Sequence, residues 1–126
     1  MYQIDNQSRQ AVYEQIVQQV EKYVLAGILK GDDKMPSIRS LAIELNVNPN
    51  TVQRAYTELE RNGVIVTAPG RGAFISTQGP ANLKEKKIEL SLIDLKKLVS
   101  DLKLAELEKN KIIQIVEDTY QEGRHD

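Results

Sequence analysis

The chain contains no cysteine and no tryptophan, and only one phenylalanine and one histidine among its 126 residues. The missing thiol excludes disulfides, thiolate metal ligation and thiol nucleophiles, and a reducing cytoplasm suits such a chain. Its single histidine, His125, stands among the last residues, where a frayed terminus is a poor place for catalysis. No hydrophobic run approaches the roughly 18 residues of a membrane span, and Met1 to Arg9 lacks the apolar centre of a signal peptide. Neither an exported nor an embedded protein is expected. No nucleophile–base pair, metal-spaced cluster or phosphate-cradling loop stands out, so no enzyme, metal site or cofactor is expected either.

An excess of charge of one sign is also lacking. The net charge is −1, and the stretch through Ser76 carries eight Lys+Arg against eight Asp+Glu. Global charge therefore neither favours nor excludes nucleic acid, and what matters is where individual side chains point.

What the chain does have is helical periodicity with clear punctuation. From Arg9 to Ala26, Val12, Tyr13, Ile16, Val17, Val20, Tyr23 and Val24 recur at the spacing of a helix with one buried face. Ser8 is the expected N-cap and Gly27 the expected stop. Ile28 to Pro36 reads as a turn with a short extended stretch. Ser37 then caps a short helix striped by Ile38, Leu41, Ala42 and Leu45. Asn48-Pro49 opens a second one that buries Val52, Ala55, Tyr56 and Leu59 and stops at Gly63. Val64–Thr67 and Ala73–Ser76, separated by Ala68-Pro69-Gly70-Arg71-Gly72, read as a hairpin. Gly79-Pro80 marks a break, followed by helices over Leu83–Leu104 and Glu108–Glu122.

The predicted fold class is thus mostly α with a small β-hairpin wing: a winged helix-turn-helix over residues 1–78 and a two-helix tail over 79–126. On the second short helix the outer side carries Asn50, Gln53, Arg54 and Thr57, with Asn48 and Thr51 near its start. Amides and guanidinium groups pair with base edges, and a helix N-terminus suits phosphate. Any exposed helix face is polar, but here Glu58 and Glu60 fall toward the far end, leaving the first turns free of carboxylates that would repel phosphate. At Gly70-Arg71-Gly72 a minor-groove wing tip and a plain turn with a solvated arginine fit the residues equally. Arg39 can reach DNA or pair with Glu44 on the next turn.

These residues resemble a known family. Gly31, Met35-Pro36-Ser37-Ile38-Arg39-Ser40-Leu41-Ala42, Val47-Asn48-Pro49-Asn50-Thr51-Val52, Arg54-Ala55-Tyr56, Leu59-Glu60, Gly63 and Gly70-Arg71-Gly72 look like the N-terminal domain of GntR-type bacterial regulators. The spacing matches through some sixty residues, and the short tail is similar to that of the YtrA-like subfamily, whose members end in a small two-helix dimerisation region. The resemblance implies DNA contacts at Ser37, Arg39, Asn48, Asn50, Thr51, Gln53, Arg54, Gly70 and Arg71. Several relatives carry arginines where this chain has Pro49 and Gln53, so their operator sequences do not transfer. Met35 replaces the usual leucine, a volume-conserving swap.

In the tail, Ile88, Leu92, Leu95, Val99 and Leu102 follow a four/three spacing suited to helix packing, widened by Leu90, Ile93 and Leu98. With Ile112, Ile113, Val116 and Tyr120 they either pack on the winged domain or pair with a second chain, and homodimerisation is the favoured reading. A two-fold dimer offers two reading helices to an inverted repeat, so the expected function is a cytoplasmic repressor bound to double-stranded operator DNA. Two other readings are a winged helix used for protein contact and a regulator gated by a small-molecule effector held between subunits.

Overall fold

The computed structural model describes residues 1–123; His125 lies outside them. The chain forms two compact units, Met1–Lys86 and the segment from Lys87 onward.

The first unit is built on three helices, α1 (Val12–Leu25), α2 (Ile38–Leu45) and α3 (Pro49–Arg61), and a two-stranded antiparallel wing, β1 (Ile65–Ala68) and β2 (Gly72–Ile75). Both α1 and α2 pack on α3, whose Val52, Ala55, Tyr56 and Leu59 are buried. Ile16, Val20, Leu41, Val64 and Ile75 complete the centre of the core. Each such aliphatic residue contributes about 1.5–3 kcal/mol by leaving water, so this small core depends on every member.

Several boundaries differ from the sequence reading. Ser8 does not cap α1. Ala11 occupies the N-cap position without a side-chain bond, while Ser8 Oγ accepts the Gln10 N–H in a preceding turn. The cause is Gln15: its amide donates to the Asp5 and Gln10 carbonyls and accepts the Asp5 N–H, which ties the N-terminal arm down before the helix begins. That arm, polar by composition, sends Tyr2 into the core, edge-on to Tyr23 with ring centroids 5.7 Å apart. Burial pushes the Tyr2 phenol up to about 12. The strands sit one residue from their expected limits: the Val64 N–H is taken by the Leu59 carbonyl at the end of α3, and the ladder runs from Ile65 opposite Ile75 to Ala68 opposite Gly72. Asp32 to Met35 lies along the free edge of β2, with Asp32 N–H to Ile75 O and Met35 N–H to Ala73 O both at 2.8 Å.

Gly79-Pro80 is not a break. It opens α4 (Gly79–Leu104), where proline's missing N–H needs no partner. A Cβ on Gly79 would lie 2.9 Å from the Val64 carbonyl oxygen, so only glycine fits that approach. Leu83, 4% exposed, anchors the next turn, and the first unit therefore runs to Lys86, past the expected limit at residue 78.

The second unit contains the remainder of α4 and α5 (Lys109–Glu122). Glu106, at φ +63°, shapes the turn between them, and Leu107 N–H bonds the Leu102 carbonyl. Among the described residues of this unit no side chain is buried; only Ile112 is even half-covered.

Candidate nucleic-acid interface

Each of the helices α2 and α3 is opened by a side-chain cap. Ser37 Oγ accepts the Ser40 N–H at 3.0 Å, and Asn48 Oδ1 accepts the Asn50 N–H at 2.8 Å. Asn46 ends α2 in the left-handed region at φ 55°, which asparagine tolerates. Capping consumes only acceptors. The Ser37 hydroxyl proton and the Asn48 amide N–H groups stay available as donors at the exposed start of each helix, where the dipoles favour an anion.

With Val52, Ala55, Tyr56 and Leu59 fixed inward, the 100° step of the helix turns Asn50, Arg54 and Thr57 outward, with Gln53 beside them. All four are exposed, whereas Thr51 is half-buried on the flank. Gln53 Nε2 donates to Thr57 Oγ1 at 3.2 Å, which orders two neighbouring side chains of this face. Tyr56 holds the base of the helix in place: its hydroxyl donates to the Pro36 carbonyl at 2.7 Å, and burial raises its phenol pKa strongly.

Carboxylates near this face are occupied or distant from its first turns. Arg61 bonds Glu58 through Nε at 3.2 Å and so holds the Glu58 carboxyl below its ordinary pKa. Arg39 is exposed and makes no ion pair among the described residues, so the alternative pairing with Glu44 is not formed. Five residues along a helix is about 140° of rotation, which points the two side chains apart.

The wing tip spans Pro69-Gly70-Arg71, closed by Arg71 N–H to Ala68 O at 2.9 Å. Gly70 (φ +76°) and Gly72 (φ +107°) take conformations that side chains resist, and Arg71 projects exposed between them. Between α3 and the wing runs a cleft of about 230 Å³ that brings Ser37, Gln53 and Thr57 to the same wall system as Thr67 and Gly72. Glu60, near the end of α3, also lines it. Asn48 and Arg71 lie outside this cleft, so the expected contact residues form a helix face and a separate tip.

Two participants escaped the sequence reading. Tyr13, expected in the core, is half-buried, and the Arg54 guanidinium carbon lies 3.8 Å from its ring centroid. Lys34 runs beside the wing: its Cε lies 3.5 Å from where a Gly72 side chain would start, which brings a lysine stem against β2. Neither pairing leaves a periodic or motif signal, because the partners are tens of residues apart.

Among the described residues no cluster of His, Asp and Glu could hold a metal ion, and no helix is long and apolar enough to cross a membrane. Residues 12–75 match the family model for bacterial regulatory proteins of the gntR family. Over 118 residues the chain is 43% identical to the HTH-type transcriptional repressor YtrA of Bacillus subtilis, covering 94% of this chain and 91% of that one. A crystal structure of a transcriptional regulator from Oenococcus oeni superposes with a TM-score of 0.78 at 32% identity, over 93% of this chain and 97% of its own. The DNA-binding domain of AraR, solved in complex with operator ORE1, shares the fold at 20% identity and a TM-score of 0.52, over 58% of this chain and 89% of its own. With both the winged unit and the short two-helix tail matched, the chain belongs to the GntR family of bacterial regulatory proteins, in its YtrA-like branch, and is a DNA-binding transcriptional regulator rather than an enzyme.

Proposed function

We propose that this regulator is a cytoplasmic repressor that binds an inverted-repeat operator as a homodimer. The observation that carries the reading is the outer side of α3, where Asn50, Gln53 and Arg54 stand exposed on a helix whose opposite side is locked into the core. Amides and a guanidinium on one projecting face match the donor and acceptor pattern of the major groove. In this reading Ser37, Arg39, Asn48 and Thr51 contact the backbone or flanking bases, and Gly70 and Arg71 serve the adjoining groove. The name of the Bacillus subtilis relative supports repression.

Dimerisation is the task assigned to the tail. Ile88, Leu92 and Leu95 are 59, 57 and 48% exposed in the single chain, and Val99, Leu102, Ile113 and Val116 extend the apolar surface. A segment that buries none of its own apolar side chains needs a partner to cover them, and a second copy supplies a matching stripe at no cost in specificity. Two copies related by a two-fold axis then present two α3 helices to half-sites about one helical turn apart.

Selection of bound duplexes from a random DNA pool tests this directly. The expected product is an inverted repeat, bound as one dimer-sized complex whose affinity falls steeply with salt. A single asymmetric site bound by one chain at saturation overturns the dimeric reading, and no enrichment of any sequence overturns the reading of α3.

A further inference from the structure

We propose that Tyr13 is a positioning residue for DNA reading, its ring holding the Arg54 guanidinium flat so that the N–H edge of that group faces a base pair. This rests on the reading of α3 given above. The contact joins the first turn of α1 to the middle of α3, with the guanidinium carbon 3.8 Å from the ring centroid, well inside the roughly 6 Å range of cation–π attraction. Tyr13 packs against the buried core and is half-covered, so its ring is an anchored plate.

Arg54 is exposed, and its obvious competitor is otherwise engaged. Glu58 lies one turn further along α3, at the spacing that favours an ion pair with Arg54, yet its carboxylate takes two bonds from Arg61. Left to the ring, the guanidinium uses its face for stacking. Among the described residues its five in-plane donors bond nothing, and these are the groups that bond a guanine edge. A free arginine would lose rotamer freedom on binding; one already stacked loses less and arrives in a single plane. The ring thus affects which base is read as well as how tightly DNA is held.

The experiment compares Tyr13→Phe, Tyr13→Leu, Arg54→Ala and the Tyr13→Leu/Arg54→Ala pair, each first checked for an unchanged melting temperature, by selection from random duplexes and by affinity for the selected operator. Arg54→Ala is expected to relax the preference at one base position of each half-site. Tyr13→Leu is expected to relax that same position and to weaken operator binding roughly two- to fivefold per subunit, the scale of an exposed cation–π contact. Tyr13→Phe keeps the ring and should keep the preference. In the Arg54→Ala background, Tyr13→Leu should add nothing, since the ring then has no guanidinium to orient. If Arg54→Ala relaxes a position and Tyr13→Leu does not, the positioning role is overturned while the reading of α3 stands. If Arg54→Ala leaves every preference intact, both fail. Should Tyr13→Leu lower the melting temperature, Tyr13→Met replaces it, and a ring-free chain that still reads the Arg54 position overturns the inference equally.

Discussion

Arg71 and Gly63 separate two roles that a single residue can have in this unit. Arg71 projects from a three-residue tip between glycines in left-handed conformation and, among the described residues, bonds only through its backbone. Its removal should leave the fold untouched: Arg71→Ala is expected to melt within about 1 °C of the parent chain, as surface changes do. Operator affinity should fall, and the slope of log affinity against log salt should flatten by about one per subunit if the guanidinium neutralises a phosphate. An unchanged slope with lost sequence preference would instead make Arg71 a base reader. Gly63 shows the reverse pattern. At φ +74°, and with a Cβ only 2.6 Å from Asn82 Nδ2, alanine there meets both backbone strain and a clash. Asn82 donates to the Gly63 carbonyl at 3.0 Å, so the clash displaces the side chain that covers the end of α3. Gly63→Ala is expected to cost about 1–3 kcal/mol in urea denaturation.

At the scale of elements, α3 owes its start to Asn48 and its orientation to Val52, Ala55, Tyr56 and Leu59. One substitution separates capping from DNA contact. Asn48→Asp keeps a side-chain acceptor for the Asn50 N–H and adds a charge that the helix N-terminus favours, so stability should hold or rise by a few tenths of a kcal/mol, about the size of a dipole contribution. The same carboxylate loses the amide donors and repels phosphate, so operator binding should fall about tenfold or more, measured by titration at low salt. Equal binding by Asn48→Asp would place that end of α3 away from DNA. The two short helices with their caps, and the hairpin, were legible because each is a local event: Ser37, Asn48-Pro49, Gly63 and Gly70 act within four residues of themselves. Elements held by distant partners were not. Gln15 decides where α1 begins by gripping Asp5 and Gln10, and Tyr2 joins the core from a segment that reads as polar. Gly79-Pro80 reads as a break until the packing of Gly79 against Val64 shows why a helix opens there. Tyr13 carries the apolar spacing of a core residue and also stacks on Arg54, and that second contact is a property of two helices together.

For the whole molecule the contrast between the units carries the argument. The first keeps its large apolar side chains largely covered around α3, while the second leaves Ile88, Leu92, Leu95, Val99 and Leu102 between 37 and 59% exposed. Covering the exposed part of one such side chain, about half of it, is worth about 0.7–1.4 kcal/mol, so in the proposed homodimer a seam of five per chain, counted twice, supplies about 7–14 kcal/mol, on the scale of the roughly 4–15 kcal/mol that association costs in lost freedom. In the proposed homodimer, symmetry makes that seam sensitive to charge, because one substitution enters an isologous interface twice. Leu95→Asp sets a carboxylate on each copy near the middle of the stripe, where both lose water and neither gains a cation. In sedimentation equilibrium the parent chain is expected to be dimeric, and the variant monomeric at the same concentrations. The winged unit has its own core, so binding to an isolated half-site should change by less than about twofold while affinity for the full inverted repeat falls by at least about tenfold, the contribution of tethering two readers. A Leu95→Asp chain that remains a dimer would move the interface off this stripe; a monomer that still binds the full repeat as tightly as its parent would show that the two α3 helices do not act together.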